Sequence, residues 1–159
     1  MVSAVAHLIA VIGCGNPNRS DDGFGGHVVR RLAGRAGPQV KILDAGTDGM
    51  AVMFGARGCT TLVIVDACRT GAAPGTLFEV PAAVVAAPHT PSLTLHDFRW
   101  DHALYAGRKL YGHEFPGDVT VFLVEAGSLA LGLELTPEVQ GAVEGTVARI
   151  ERVLADRGA

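Results

Sequence analysis

Aromatic side chains make up only 6% of this sequence. Its core must therefore be built on Ala, Val and Leu. Basic residues do not dominate either. Thirteen Lys and Arg stand against sixteen Asp and Glu, the formal net charge is −3, and the pI is near 6.0. No basic stripe offsets that balance, which excludes an electrostatic nucleic-acid binder. No apolar run approaches the ~20 residues of a membrane-spanning helix. The three cysteines, Cys14, Cys59 and Cys68, are odd in number and form no Cys-x-x-Cys pair. They outline no disulfide framework or zinc knuckle. With no charged-then-apolar leader before the first predicted strand, a cytoplasmic protein with reduced thiols is expected. Charged residues are 18% and apolar residues 48% of the 159 positions, which excludes a disordered chain. A single domain over residues 1–159 is the simplest organisation, and a chain this long buries about 68–70% of its unfolded surface without staples.

Glycine, by contrast, is abundant at 21 residues. It concentrates in the stretch from Val11 to Val28, around which the chain is organised. The apolar run from His7 to Ile12 reads as a buried strand, and Gly13, Gly15 and Asn16-Pro17 turn the backbone after it. Phe24, Val28 and Leu32 then share one helical face. Between strand and helix stand Asp21 and Asp22, followed by Gly23, Gly25 and Gly26. Glycines in a first helical turn cost about 1 kcal/mol each against alanine, so something must require close backbone approach there. A dinucleotide fingerprint fails because Asn18 stands at its last glycine position, and no Gly-Lys-Ser/Thr follows to make a P-loop. A simple N-cap from Ser20, Asp21 or Asp22 is expected as well, but one cap leaves the glycines unexplained.

The remaining chain alternates strand and helix. Val40–Leu43 is a short strand ending in the turn Asp44–Gly49, and Met50–Arg57 is a short helix. Thr61–Val65 is the clearest buried strand, β-branched almost throughout, and stops at Asp66. This order signals a parallel sheet with helices on both faces. Residues 68–94 form a Gly/Ala/Pro-rich excursion holding one strand, Thr76–Val80. A helix resumes near His96, with Thr94–Asp97 as a capping box and Trp100, Ala103, Leu104, Gly107 and Tyr111 on one face. Val119–Val124 is the last strand. Thr136 and Pro137 start a helix whose Val139, Val143, Val147, Ile150 and Leu154 form a core stripe.

Ligands in open α/β sheets bind beyond the carboxyl ends of strands where the order reverses. If the order begins 2-1-3, Asp22, Asp44 and Asp66 crowd one rim, and a cation relieves their repulsion. His96, in the first turn of its helix, is kept neutral by the helix dipole and completes a set of two carboxylates and an imidazole. Such a set suits Zn, Ni, Fe or Co without selecting among them. His89 is the weaker choice. His7 and His27 are expected to be structural, and His102 and His113 to face solvent. Cys14 has no cationic partner in sequence and reads as a packed thiol, not a nucleophile.

At these residues the sequence resembles the hydrogenase maturation endopeptidases. The segments that carry the likeness are Ile12–Asn16 with Asp21–Gly25, Asp44–Thr47, Val65–Ala67, Ser92–Asp97, Val124–Glu125 and Leu135–Val139, in the family's order. The resemblance implies a three-layer α/β fold with a twisted, mostly parallel five-stranded sheet. It implies an aspartyl-type endopeptidase that removes the C-terminal extension of a nickel–iron hydrogenase large-subunit precursor after nickel insertion. Nickel in that substrate serves as the recognition signal, with zinc, cadmium or another divalent ion as a stand-in. The family's metal contacts fall on Asp22, Asp66 and His96, with His89 as fallback. Asp22, Asp44 and Asp66 are the candidate acid–base groups. Many members carry glutamate where this chain has Asp22. A monomer with no nucleic-acid or membrane partner is expected. A metal-binding assembly chaperone that does not cut, or another small metal-dependent hydrolase, are the alternatives.

Overall fold

The computed structural model describes residues 8–81 and 99–159. Five strands form one sheet in the order β2-β1-β3-β5-β4. They are β1 (Ile9–Cys14), β2 (Val40–Gly46), β3 (Thr61–Cys68), β4 (Leu77–Pro81) and β5 (Asp118–Glu125). The first four in spatial order run parallel, and β4 pairs antiparallel with β5 at the edge. Pro81 is tolerated there because an edge strand has one unpaired side. The chain steps from β1 to β2 on one side and reaches β3 on the other, so the order reverses between β1 and β3. The 2-1-3 start is thus present, and with it a switch point at their carboxyl ends.

Among the described residues, four α-helices cover the sheet: α1 (Phe24–Ala33), α2 (Gly49–Ala56), α3 (Trp100–Tyr111) and α4 (Pro137–Asp156). On one face α1 and α4 bury Phe24, Val28 and Leu32 with Val143, Val147 and Ile150 against Val11, Val63 and Phe122. On the other, α2 and α3 bury Val52, Met53, Ala103 and Leu104 against Ile12, Leu62 and Ile64. Alternate residues of β1 and β3 feed opposite layers, which is why both strands read as unbroken apolar runs. Among the described residues no helix is long and apolar enough to cross a membrane.

Several boundaries differ from the sequence reading. β2 and β3 continue to Gly46 and Cys68, so Asp44 and Asp66 lie within strands, not after them. Thr136 is the residue before α4, but its side chain makes no cap bond to that helix. Nor does Ser20, Asp21 or Asp22 cap α1. They form a short 3-10 turn, Ser20–Gly23, and Gly23 precedes α1 without any side-chain cap. The capping box at Thr94–Asp97 lies outside the described residues. Arg99 is the residue preceding α3, and its backbone N–H donates to His102 Nδ1 at 3.3 Å. His102 is therefore half-buried and engaged, not solvent-facing, whereas His113 is exposed as expected.

Candidate active site

The glycines of the first turn are explained by backbone packing. Gly15 has φ +117°, and a Cβ on it would lie 1.8 Å from the Asp22 carbonyl oxygen and 3.2 Å from Asp66 Oδ1. A Cβ on Gly25 would meet the carbonyl oxygens of Cys14 and Val65, each at 2.4 Å. The start of α1 is thus pressed onto the ends of β1 and β3, an approach that only glycine permits. This seats Asp22 beside Asp66. The close approach expected at this loop is helix against strand, not backbone against a ligand.

Asp22 Oδ2 accepts the Asn16 backbone N–H at 2.9 Å, which fixes its carboxylate across the turn. Asp66 is 3% exposed. Its Oδ1 accepts the Ala67 N–H at 2.8 Å, and its Oδ2 accepts the Trp100 indole N–H at 2.9 Å. The Arg99 guanidinium, itself exposed, stands 3.6 Å from the same Oδ2. Burial pushes Asp66 up to about 6. Hydrogen bonds from Ala67 and Trp100 and the Arg99 charge oppose that rise, and the Asp22 charge adds to it.

Both acids line one cleft of about 360 Å³. Its floor is Cys14, Gly15 and Asn16; one wall is the turn into α2 with Thr47, Asp48 and Val52. Arg19, Arg99 and Trp100 complete the mouth. Asp48 is not free for chemistry, since its Oδ1 caps α2 through Met50 N (2.9 Å) and Ala51 N (3.2 Å).

Asp44 is not brought to this cleft. It pairs in register with Gly13, which in turn pairs with Val65. Side chains alternate along a strand, so Asp66, one residue beyond Val65, points to the opposite face. Asp44 instead faces α1, where Oδ2 binds Arg30 at 3.1 Å. The expected crowding of three acids on one rim is corrected to two, by strand parity. His96 and His89 both lie outside the described residues. Among the described residues no three His, Cys, Asp or Glu come together as a metal site. Two carboxylates by themselves are an incomplete set for a transition metal.

Asp21, adjacent to Asp22, does a different job. It is fully buried. Its two oxygens accept the N–H groups of Gly127 (2.8 Å), Ser128 (2.9 Å) and Thr136 (2.7 Å), together with the Thr136 hydroxyl. Burial works against its charge, but these bonds outweigh it and hold its carboxyl below the usual range. Glu125 is likewise committed, accepting the Thr70 and Gly71 N–H groups and the Thr70 hydroxyl. Cys14 is buried, and burial with the charges of Asp66 and Asp44 pushes its thiol far above the usual range. Cys68 is pushed up to about 12, first by burial and then by Glu125. Neither thiol supplies a thiolate near neutral pH.

Trp100, Arg99 and Arg19 carry no local signal that marks them as site residues. Trp100 belongs to the core by its helical spacing, and nothing in that spacing reveals that its indole N–H reaches a strand residue 34 positions earlier.

Comparison with known proteins gives a consistent picture. The family model for hydrogenase maturation protease (HycI) matches residues 26–153. The chain is 31% identical over 153 residues to the hydrogenase 2 maturation protease of Escherichia coli (strain K12), covering 94% of this chain and 92% of that protein. It is 30% identical to the hydrogenase expression/formation protein HupD of Rhodobacter capsulatus, covering 92% of this chain and 70% of that one. The solved structure of the hydrogenase maturating endopeptidase HybD from E. coli superposes with a TM-score of 0.83 at 30% identity, covering 95% and 94% of the two chains.

Proposed function

The chain belongs to the hydrogenase maturation protease family and is a peptidase, and from that premise we propose that it removes the C-terminal extension of a nickel–iron hydrogenase large-subunit precursor once nickel is in place. Nickel belongs to the substrate in this reading. Asp22 and Asp66 contact it from the enzyme, and His96 supplies the third donor.

The observation that carries the proposal is the shared cleft of Asp22 and Asp66 at the switch point, with both carboxylates oriented from behind. Each carboxylate oxygen has two lone pairs. The bonds from Asn16, Ala67 and Trp100 use one each and leave the others for a cation. Hydrolysis adds the water oxygen to the scissile carbonyl carbon and breaks the C–N bond. The proton leaves the water for a carboxylate of this pair and passes from it to the departing amine. Asp44, on the opposite face and paired with Arg30, takes no part.

The test is the intact mass of a purified large-subunit precursor after incubation with the enzyme. The nickel-loaded precursor should lose its C-terminal extension, and the nickel-free precursor should keep it. Stable binding of the loaded precursor with no change in mass would identify a metal-binding chaperone instead.

A further inference from the structure

When water adds to a peptide, negative charge develops on the carbonyl oxygen, and a pair of carboxylates opposes that charge. A donor elsewhere in the cleft has to meet it. Most donors there are already committed. The Gly15 N–H donates to the Gly46 carbonyl at 2.8 Å, and the Asp48 N–H to the Ala45 carbonyl at 3.0 Å. The Asn16 N–H is held by Asp22 and the Trp100 indole by Asp66. The first turn of α2 opens on the cleft, but Asp48 caps its Met50 and Ala51 N–H groups. The charged donors that remain among the described residues are Arg19 and Arg99, the two cations lining the cleft.

These two are not equivalent. Arg19 is tied to the segment after β5, its Nε donating to the Leu129 carbonyl at 3.1 Å. Arg99 stands 3.6 Å from Asp66 Oδ2, beyond hydrogen-bond range, and its side chain is 67% exposed. Asp66 has close donors in Ala67 and Trp100 and does not rely on the guanidinium for partners. Arg99 immediately precedes α3, and Trp100 begins it. Two consecutive residues thus deliver the indole that orients the acid and a cation beside that acid.

We propose that Arg99 is a catalytic residue of the hydrolysis, its guanidinium donating to the oxyanion formed from the scissile carbonyl. The water oxygen bonds to the carbonyl carbon, and the water proton goes to a carboxylate of the Asp22–Asp66 pair. The carbonyl π pair moves onto the oxygen, where Arg99 stabilises it. That pair then returns, the C–N bond breaks, and the amine leaves with the proton the carboxylate held. The attacking water and the oxyanion sit on one carbon, so the oxyanion's donor belongs close beside the acid. A guanidinium presents five N–H donors in a rigid fork, enough to face Asp66 and the oxyanion together.

This inference rests on the proposed proteolytic reading, and kinetics separate the two. Arg99→Met, Arg99→Lys and Arg19→Met are compared with wild type on the purified nickel-loaded precursor, with cleavage followed by intact mass. The Arg99 charge also favours ionised Asp66. Each kcat is therefore taken on the plateau of that variant's own pH–rate profile. Arg99→Met should lower kcat about 100-fold, the size typical of a lost oxyanion donor, with KM changed less than about three-fold. Arg99→Lys keeps the charge without the fork and should restore about ten-fold of that loss. A fall above about ten-fold in kcat that lysine partly restores supports the assignment. A smaller fall, one confined to KM, one that vanishes on the plateau, no rescue by lysine, or an equal fall in Arg19→Met overturns it. Circular dichroism checks folding, and Arg99→Gln is read by the same thresholds should the methionine variant not fold. If wild type fails to shorten the precursor, the functional reading falls and the role of Arg99 falls with it. If wild type cuts and Arg99→Met is indistinguishable, only the role of Arg99 falls.

Discussion

At the scale of single residues, Asp66 is held at the cleft by the indole of Trp100. Trp100→Phe keeps the buried ring but removes the N–H that Asp66 Oδ2 accepts. Groups that orient a metal-contacting residue are typically worth 10–100-fold in affinity or activity. Precursor cleavage should fall about ten-fold in this variant. Its pH–rate profile should move to higher pH, because the lost donor favoured the charged carboxylate. A purely packing role for Trp100 would leave the profile unmoved. Asp66 also burdens stability in a way whose sign is fixed. Its folded value, about 6, lies above the unfolded value of ~3.9. The folded protein therefore binds the proton more tightly, and stability from this group declines as pH rises from about 4 to about 6. A rise of that size corresponds to about 3 kcal/mol. Relative to wild type, Asp66→Asn should thus gain stability progressively across that window and level off above it. Thermal unfolding in chelator between pH 4 and 7 measures the difference. A difference independent of pH would mean that Asp66 titrates like an exposed carboxylate.

Between elements, Asp21 is the tie. It joins the turn before α1 to the segment that leads from β5 into α4, some 106 to 115 residues away in sequence. It takes the Thr136 hydroxyl, the group that would otherwise cap α4. Removing the carboxylate leaves three N–H groups and a hydroxyl without their acceptor, each costing about 1–3 kcal/mol when buried. Asp21→Ala should destabilise the fold by about 3 kcal/mol or more in denaturant unfolding, with the midpoint falling and the slope unchanged. The sign of its pH dependence opposes that of Asp66. Its folded pKa is depressed, so its contribution is present above the unfolded value and is lost as pH falls through the folded one. A variant as stable as wild type would show that solvent satisfies those donors. Two adjacent acids thus divide the work, one holding elements together and the other facing the cleft.

For the whole molecule, the proposed recognition of nickel calls for a third donor beside Asp22 and Asp66. The described residues supply two acids and no third donor, and the family resemblance places that donor at His96 with His89 as the alternative. His96→Ala should weaken binding of nickel at least ten-fold by calorimetry and impair cleavage of the loaded precursor. The melting temperature should stay within a few degrees if the role of His96 is confined to metal contact. His89→Ala should do less on every measure. The reverse ranking would transfer the third contact to His89.

Much of this architecture is written locally. The apolar runs of β1 and β3, the helical stripes Phe24-Val28-Leu32 and Val139-Val143-Val147, and the strand–helix alternation depend on near neighbours along the chain. They follow from periodicity, and the parallel sheet follows from their order. The motif around Asp22 and its resemblance to a protease family are legible for the same reason. What the sequence could not state is which way a side chain points once strands are in register. A one-residue step turns Asp66 toward the cleft and leaves Asp44 on the other face with Arg30. Neither could it say that Asp21 serves a distant helix entrance, or that Trp100, an ordinary core residue by spacing, donates to Asp66. Register, strand parity and long-range hydrogen bonds arise only when segments far apart in sequence are packed together. Tertiary structure therefore decided the division of labour among acids that look alike in the sequence.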